Sequence, residues 1–213
     1  MVCARPSIGM CKRIVDLGLA LLLLALLAPL LAALALWVKL DSPGPVFFRQ
    51  TRVGRRGRLF TILKFRTMVV DAERSGYYTA ANDPRITRAG AFLRRTSLDE
   101  LPQVFNIVKG DMSIVGPRPT LPYQVEQYTA FQRRRLEVKP GVTGWAQIHG
   151  RNTLSWPQRI EYDVWYVDHQ SLWLDLNILL RTVRVWLRGE GVYAERDKFV
   201  VGDNDEQQLG GST

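Results

Sequence analysis

LGLALLLLALLAPLLAALALWV, residues 17–38, holds no charged side chain. Twenty-two residues at the helical rise of about 1.5 Å each reach about 33 Å, enough to cross the apolar core of a bilayer. A cleaved signal peptide has a shorter apolar core that ends at a small-residue site. This run passes directly into Lys39 and a basic region, so it reads as retained. Pro29 sits near its middle, where it removes one backbone hydrogen bond. Lys12 and Arg13 precede the run; Lys39, Arg49, Arg52, Arg55, Arg56 and Arg58 follow it. Basic flanks favour the cytoplasmic side. A helix bent at Pro29 that enters and leaves by one face keeps both flanks there, so the re-entrant reading is favoured over the spanning one.

Outward from this segment, 213 residues with a formal charge of +9 allow one domain with a real core. The charge suits nucleic acid, anionic headgroups or phosphorylated small molecules and does not choose among them. Cys3 and Cys11 both precede the apolar run and read as free thiols, not as a disulfide framework or a zinc site.

Asp41-Ser42-Pro43-Gly44-Pro45 is a turn cluster that stops the first helix. Residues 46–51 and 58–63 read as two strands of a hairpin joined through VGRRG. Residues 71–90 read as loop, 91–109 as helix in two pieces, 110–119 as loop, 121–138 as helix and 139–152 as a glycine-punctuated loop. Residues 156–168 and 171–188 read as helices, the second suited to a membrane interface. The expected fold class is α+β and mostly helical. Its parts are a tail and re-entrant membrane helix over 1–40, a catalytic domain over 41–200 with a short β-hairpin and interfacial amphipathic helices, and a polar, disordered tail over 201–213.

The stretch RRTSLDELPQ, residues 94–103, sets Asp99 and Glu100 behind two arginines. Ser97 with Glu100 three residues on is also a capping-box pattern that does no more than start a helix. Pro102 complicates that, because proline fits best within the first helical turn. A start at Asp99 places this carboxylate at the positive helix end, where phosphate also binds. Arg118 is held stiff between Pro117 and Pro119, and the block GWAQIHGRN, residues 144–152, carries Arg151. Arg94, Arg118 and Arg151 together make a forked donor set for a diphosphate. His149 and His169 are the only histidines, so chemistry built on a histidine base is poorly supported. Walker A, GxSxG and HExxH patterns are absent from the sequence.

KRIVDLGLALLLL, FFRQTRVGRRGRLFTILKFRTM, NDPRITRAGAFLRRTSLDELPQVFNIVKGDMSIVGPRP, KPGVTGWAQIHGRN and YDVWYVDH, in that order, resemble the bacterial sugar transferase family of monotopic polyprenyl-phosphate phosphoglycosyl transferases. The likeness runs from about Lys12 to Phe199, and is closest to small, single-domain members. Two positions differ from many of these: Ala28 precedes Pro29 where serine is common, and His149 stands where asparagine is common.

The resemblance implies a re-entrant helix with its break at Pro29, a catalytic dyad of Asp99 and Glu100, magnesium, and phosphate contacts from Arg94, Arg118 and Arg151. It implies transfer of a sugar 1-phosphate from a UDP-sugar to undecaprenyl phosphate, with UMP released and a sugar phosphate carried on Asp99 between the two steps. Glu100 either holds the metal with Asp99 or orients it. UDP-linked N-acetylated amino sugars are the first expectation, with UDP-galactose and UDP-glucose open. The implied partners are membrane lipids, downstream glycosyltransferases and a second copy in a homodimer, with no nucleic acid. The implied location is the cytoplasmic face of the bacterial inner membrane. Two competing readings are a membrane-tethered, basic nucleic-acid-binding protein and a scaffold that recruits glycan enzymes.

Overall fold

The computed structural model describes residues 6–72 and 83–188; Cys3, the polar tail over 201–213 and half of the loop expected over 71–90 lie outside them. Leucine and alanine, both strong helix formers, carry α1 through 36 residues, Pro6–Asp41. It is long and apolar enough to cross a membrane. Helical conformation continues through Pro29, where the sequence suggested a break. Proline removes its own N–H and leaves the neighbouring turns bonded, so the segment stays helical. One stripe of α1 faces the rest of the chain: Lys12, Asp16, Ala20, Leu24, Leu27, Leu31, Leu34 and Val38, at intervals of three and four residues. The other faces are exposed and apolar, with Leu26 at 67% and Leu36 at 60%.

Both ends of α1 are fastened to the same body. Near the start, Lys12 Nζ lies 2.5 Å from Asp175 Oδ2, and Arg13 donates to the carbonyls of Ile107 and Val108 at 2.5 and 2.8 Å. Asp16 Oδ1 accepts from the Ile114 amide. Ala20 packs in a core with Phe60, Ile62, Val104, Ile107 and Met112. Near the end, Leu34 and Val38 pack with Phe65, Ala89 and Leu93. Burying each such side chain contributes roughly 1.5–3 kcal/mol. Asp41 Oδ2 accepts from the Ala89 amide at 2.9 Å, and the Arg66 guanidinium caps the carbonyls of Ser42 and Pro43.

Strands β1 (Phe47–Val53) and β2 (Leu59–Phe65) form the expected hairpin, shifted by one or two residues, with Phe47 opposite Phe65 and Val53 opposite Leu59. Arg56 and Gly57 take positive φ at its tip. Helix α2 (Arg88–Thr96) is capped by Thr87 Oγ1 and ends on Ser97, which is left-handed at φ 53°. A 3₁₀ turn over Leu98–Glu100 leads through Pro102 into α3 (Gln103–Lys109). The two-piece helix expected over 91–109 is therefore present, but it starts earlier and is split by Ser97.

Two loops of the sequence reading contain short strands. β3 (Ser113–Val115) pairs in parallel with β4 (Gly141–Thr143). The pairing needs glycine: a Cβ on Gly116 would lie 2.4 Å from the Lys139 carbonyl oxygen, and one on Gly141 would lie 2.1 Å from the Gly116 nitrogen. The single helix expected over 121–138 is instead α4 (Pro122–Glu126), α5 (Ala130–Arg133) and a 3₁₀ turn over Arg134–Glu137. Thr129 and Gln132 form a capping box that restarts the chain there. α6 (Trp145–Ile148) is one turn. α7 (Trp156–His169) and α8 (Leu172–Arg188) match their expected spans. α8 buries Asp175 and Ile178 and exposes Trp173, Leu176, Leu180 and Val183, a second exposed apolar face.

Candidate active site

The 3₁₀ turn Leu98–Glu100 sets the side chains of Asp99 and Glu100 against two cations from separate elements. Arg118 grips Glu100 with both terminal nitrogens, Nη2 to Oε1 at 2.5 Å and Nη1 to Oε2 at 3.1 Å. Lys64, from β2, donates to the same Oε1 at 2.9 Å and lies 3.9 Å from Asp99 Oδ2. Both carboxylates are largely buried, at 14% and 16% side-chain exposure. The capping-box reading of Ser97 and Glu100 is not what forms. Ser97 instead accepts a hydrogen bond from Arg151 Nη2 at 3.1 Å, and Glu100 is taken up by Lys64 and Arg118.

The two neighbours differ electrostatically. Burial pushes the Asp99 carboxyl above its ordinary range, and adjacent Glu100 adds to this while Lys64, Arg118 and Arg94 oppose it. Burial acts the same way on Glu100, but Arg118 and Lys64 override it and hold that carboxyl far below the usual range. Glu100 is thus a fixed anion that organises cations. Asp99 is the less compensated carboxylate of the pair.

Beside Glu100 opens a cavity of about 120 Å³, lined among others by Ser97, Arg118, Gln147, Arg151, Arg159 and Asp163. Arg118 and Arg151, two of the three arginines read from the sequence, line it together. Arg94 does not; its Nε donates to Thr67 Oγ1 at 2.9 Å and its charge acts on Asp99. Arg151 is held at φ 54°, a left-handed backbone that few arginines adopt. Behind the cavity, Arg135 and Asp163 form a buried pair at 2.5 Å, and Arg135 also donates to Tyr128 Oη and to the Arg118 carbonyl. That last bond fixes the backbone between Pro117 and Pro119.

Lys64 and Arg159 were not singled out from the sequence. Lys64 carried a usable signal: it continues the alternate row Phe60 and Ile62, so it points into the protein and not toward solvent. Arg159 lies on α7 between Gln158 and Ile160, and nothing local marks it. His149 and His169 sit instead in an aromatic stack with Trp145, Tyr162 and Trp165.

An apolar helix fastened at both ends thus lies in the same fold as a cation-rich carboxylate site. The profile described as "Bacterial sugar transferase" matches residues 8–189, and the chain belongs to that family. It is 48% identical over 181 residues to a Bacillus subtilis protein named "Uncharacterized sugar transferase EpsL", covering 85% of this chain and 89% of that one. It is 48% identical over 181 residues to the UDP-glucose:undecaprenyl-phosphate glucose-1-phosphate transferase of Escherichia coli, covering 81% of this chain and 39% of that protein. It is 43% identical over 206 residues to the UDP-galactose-lipid carrier transferase of Erwinia amylovora, covering 89% of this chain and 43% of that protein. The chain thus spans less than half the length of the two relatives with named substrates. Membership of this family favours the transferase reading over the nucleic-acid-binding and scaffold readings.

Proposed function

We propose that this chain transfers a sugar 1-phosphate from a UDP-sugar to polyprenyl phosphate and releases UMP. The observation that carries the reading is the pairing of Asp99 with a Glu100 already neutralised by Lys64 and Arg118. A carboxylate that attacks a diphosphate meets charge repulsion. Cations fixed by a neighbouring carboxylate lower that repulsion without rearranging during the reaction.

In the first step an Asp99 oxygen bonds to the sugar-linked phosphorus. The bond from that phosphorus to the oxygen of UMP breaks, and UMP leaves with the electron pair. In the second step an oxygen of polyprenyl phosphate attacks the same phosphorus and Asp99 departs as carboxylate. No proton has to be removed from either nucleophile, which suits a site without histidine. Arg118 and Arg151, both on the cavity beside Glu100, bind the diphosphate.

Magnesium fits this donor set in one way. Magnesium is usually held by one or two carboxylates together with substrate phosphates. Both oxygens of Glu100 are engaged by Arg118 and Lys64, so Asp99 is the carboxylate that would hold an ion carried in with the diphosphate. Such an ion supplies positive charge to the phosphate oxygens.

The apolar carrier accounts for α1. Both ends of this helix meet one domain, so a helix crossing the bilayer would have to pull one end away. The reading that fits is monotopic: α1 enters and leaves by the cytoplasmic face, with the exposed apolar side of α8 lying at the interface. The test of the reaction is UMP release by the purified chain over a panel of UDP-sugars, with and without undecaprenyl phosphate. Lipid-dependent release with one or more donors is expected; no release with any donor overturns the reading.

A further inference from the structure

Arg159 lines the cavity beside Glu100, and no step above uses it. Its side chain lies over the Trp156 ring, 5.8 Å from the centroid, and its Nη2 donates to the Arg151 carbonyl at 3.1 Å. Its buried Nε has no hydrogen-bond partner. The carboxylate whose charge acts on it, Asp163, accepts from Arg135 through Oδ2 at 2.5 Å and does not bond Arg159. Arg118, the other cation on this wall, is matched by Glu100. Arg159 is therefore a mostly buried guanidinium with spare donors and a poorly matched charge. In agreement, burial and then the charge of Arg118 bring it down to about 10.

A merely structural arginine would have its charge answered within the fold, as Arg135 has. A cation left short of an anion, on the wall of a cavity shared with Arg118 and Arg151, calls for an anion from outside. From this geometry we infer that Arg159 is a substrate-binding residue that holds a phosphate oxygen in this cavity. The inference rests on the proposed transfer reaction for the source of that phosphate, which is either the diphosphate of the nucleotide sugar or the phosphate of the lipid acceptor. Arg159 has a second, positioning part. Its bond to the Arg151 carbonyl pins the left-handed backbone that carries Arg151.

The two parts separate by substitution. Arg159→Gln keeps an N–H donor and removes the charge; Arg159→Lys keeps the charge. The purified full chain is titrated calorimetrically with UDP and with a short-chain prenyl phosphate, and KM is measured for each substrate. Arg159→Gln should weaken one of these ligands roughly ten- to a hundredfold, with a matching rise in its KM, and Arg159→Lys should recover most of the loss. Loss of UDP affinity assigns the donor's diphosphate; loss confined to the prenyl phosphate assigns the acceptor. Affinities and KM values unchanged for both ligands overturn the inference. If neither variant folds, wild-type structures with each ligand decide, and the absence of a phosphate oxygen within hydrogen-bond reach of Arg159 in both overturns it. Binding is read without turnover. A chain that binds through Arg159 but releases no UMP refutes the reaction alone, and an active chain indifferent to Arg159→Gln refutes this inference alone.

Discussion

Arg118 and Glu100 face each other fork to fork, while Asp99, one residue earlier, has Lys64 at 3.9 Å as its nearest paired cation. Adjacent carboxylates on one tight turn are thereby given separate tasks. In the proposed reaction Glu100 fixes the cations and Asp99 reacts.

Asp99 should carry the sugar phosphate. Intact-mass measurement after incubation with a UDP-sugar, without lipid, should show an added sugar phosphate on the wild type and none on Asp99→Asn. Turnover should fall at least roughly 10³-fold in that variant. The same change should raise the melting temperature at neutral pH. The Asp99 carboxyl is pushed above its ordinary 3.8, so the folded state favours the protonated form, and stability falls as pH rises from 3.8 through the folded value. Asparagine removes that cost. Normal turnover by Asp99→Asn refutes its role as nucleophile.

Glu100 should show the opposite pH dependence. Its carboxyl is held below its ordinary 4.5 by Arg118 and Lys64 against the effect of burial. Its contribution to stability is then full above about pH 4.5 and is lost as pH falls toward the folded value. Glu100→Gln leaves Lys64, which is largely buried, and Arg118, which is 38% exposed, without their anion, a loss of roughly 1–3 kcal/mol. Melting curves of both proteins should lie furthest apart near neutral pH and converge in acid. A constant gap from pH 7 to pH 3 contradicts this account.

Lys64 should set the acid limb of the rate profile. It is the strongest of the cations that oppose the rise at Asp99. Lys64→Met should move Asp99 further up, so activity should begin to fall at a higher pH than in the wild type. An acid limb that stays in place while activity drops uniformly would mean Lys64 acts on substrate and not on Asp99.

How much of this was visible in the sequence depends on range. The hairpin was legible because Gly54 and Gly57 bracket two arginines between two β-like runs, and α7 and α8 because their apolar spacing persists over three turns or more. Asp99, Glu100, Arg118 and Arg151 were legible as motif residues. The pairing of Ser113–Val115 with Gly141–Thr143 was not: three-residue strands carry no periodicity, and their partners lie 28 residues apart. Ser97 and Glu100 had the local form of a cap, but Arg118 and Lys64, remote in sequence, take Glu100 instead. Arg159 escaped notice for the same reason, because only the folded chain shows which charge answers it.

Arg118→Ala and Arg151→Ala should each lower kcat/KM roughly ten- to a hundredfold, the loss of one charge-assisted contact. The two should differ in stability. Arg118→Ala strips Glu100 of its fork and should lower the melting temperature, whereas Arg151, at the cavity wall on Ser97 Oγ, should lower it less. Near-normal kinetics in both variants would remove the arginine cradle.

The last prediction concerns the two ends of α1. Lys12 is bound to Asp175 of α8, and Asp41 to the Ala89 amide at the start of α2. Between them the helix turns one stripe to the domain and the rest outward. Withdrawing either end would expose one of these bonds or a core contact. A spanning arrangement therefore costs the Lys12–Asp175 pair, whose rupture is worth roughly 3–5 kcal/mol at a buried site, or the packing of Leu34 and Val38. Both flanks should lie on one side of the membrane. Cys11 is exposed and reports on the first flank; Leu40→Cys, at a position 77% exposed, reports on the second. A membrane-impermeant thiol reagent should leave both unlabelled in intact cells and label both once the cells are opened. Labelling of one flank alone from outside would establish a spanning helix. Since helical conformation continues through Pro29, the end contacts should matter more than the proline. Asp175→Asn should loosen the first flank and lower activity, while Pro29→Leu should change topology less. A full shift of topology in Pro29→Leu with Asp175→Asn unaffected would give the proline the larger part.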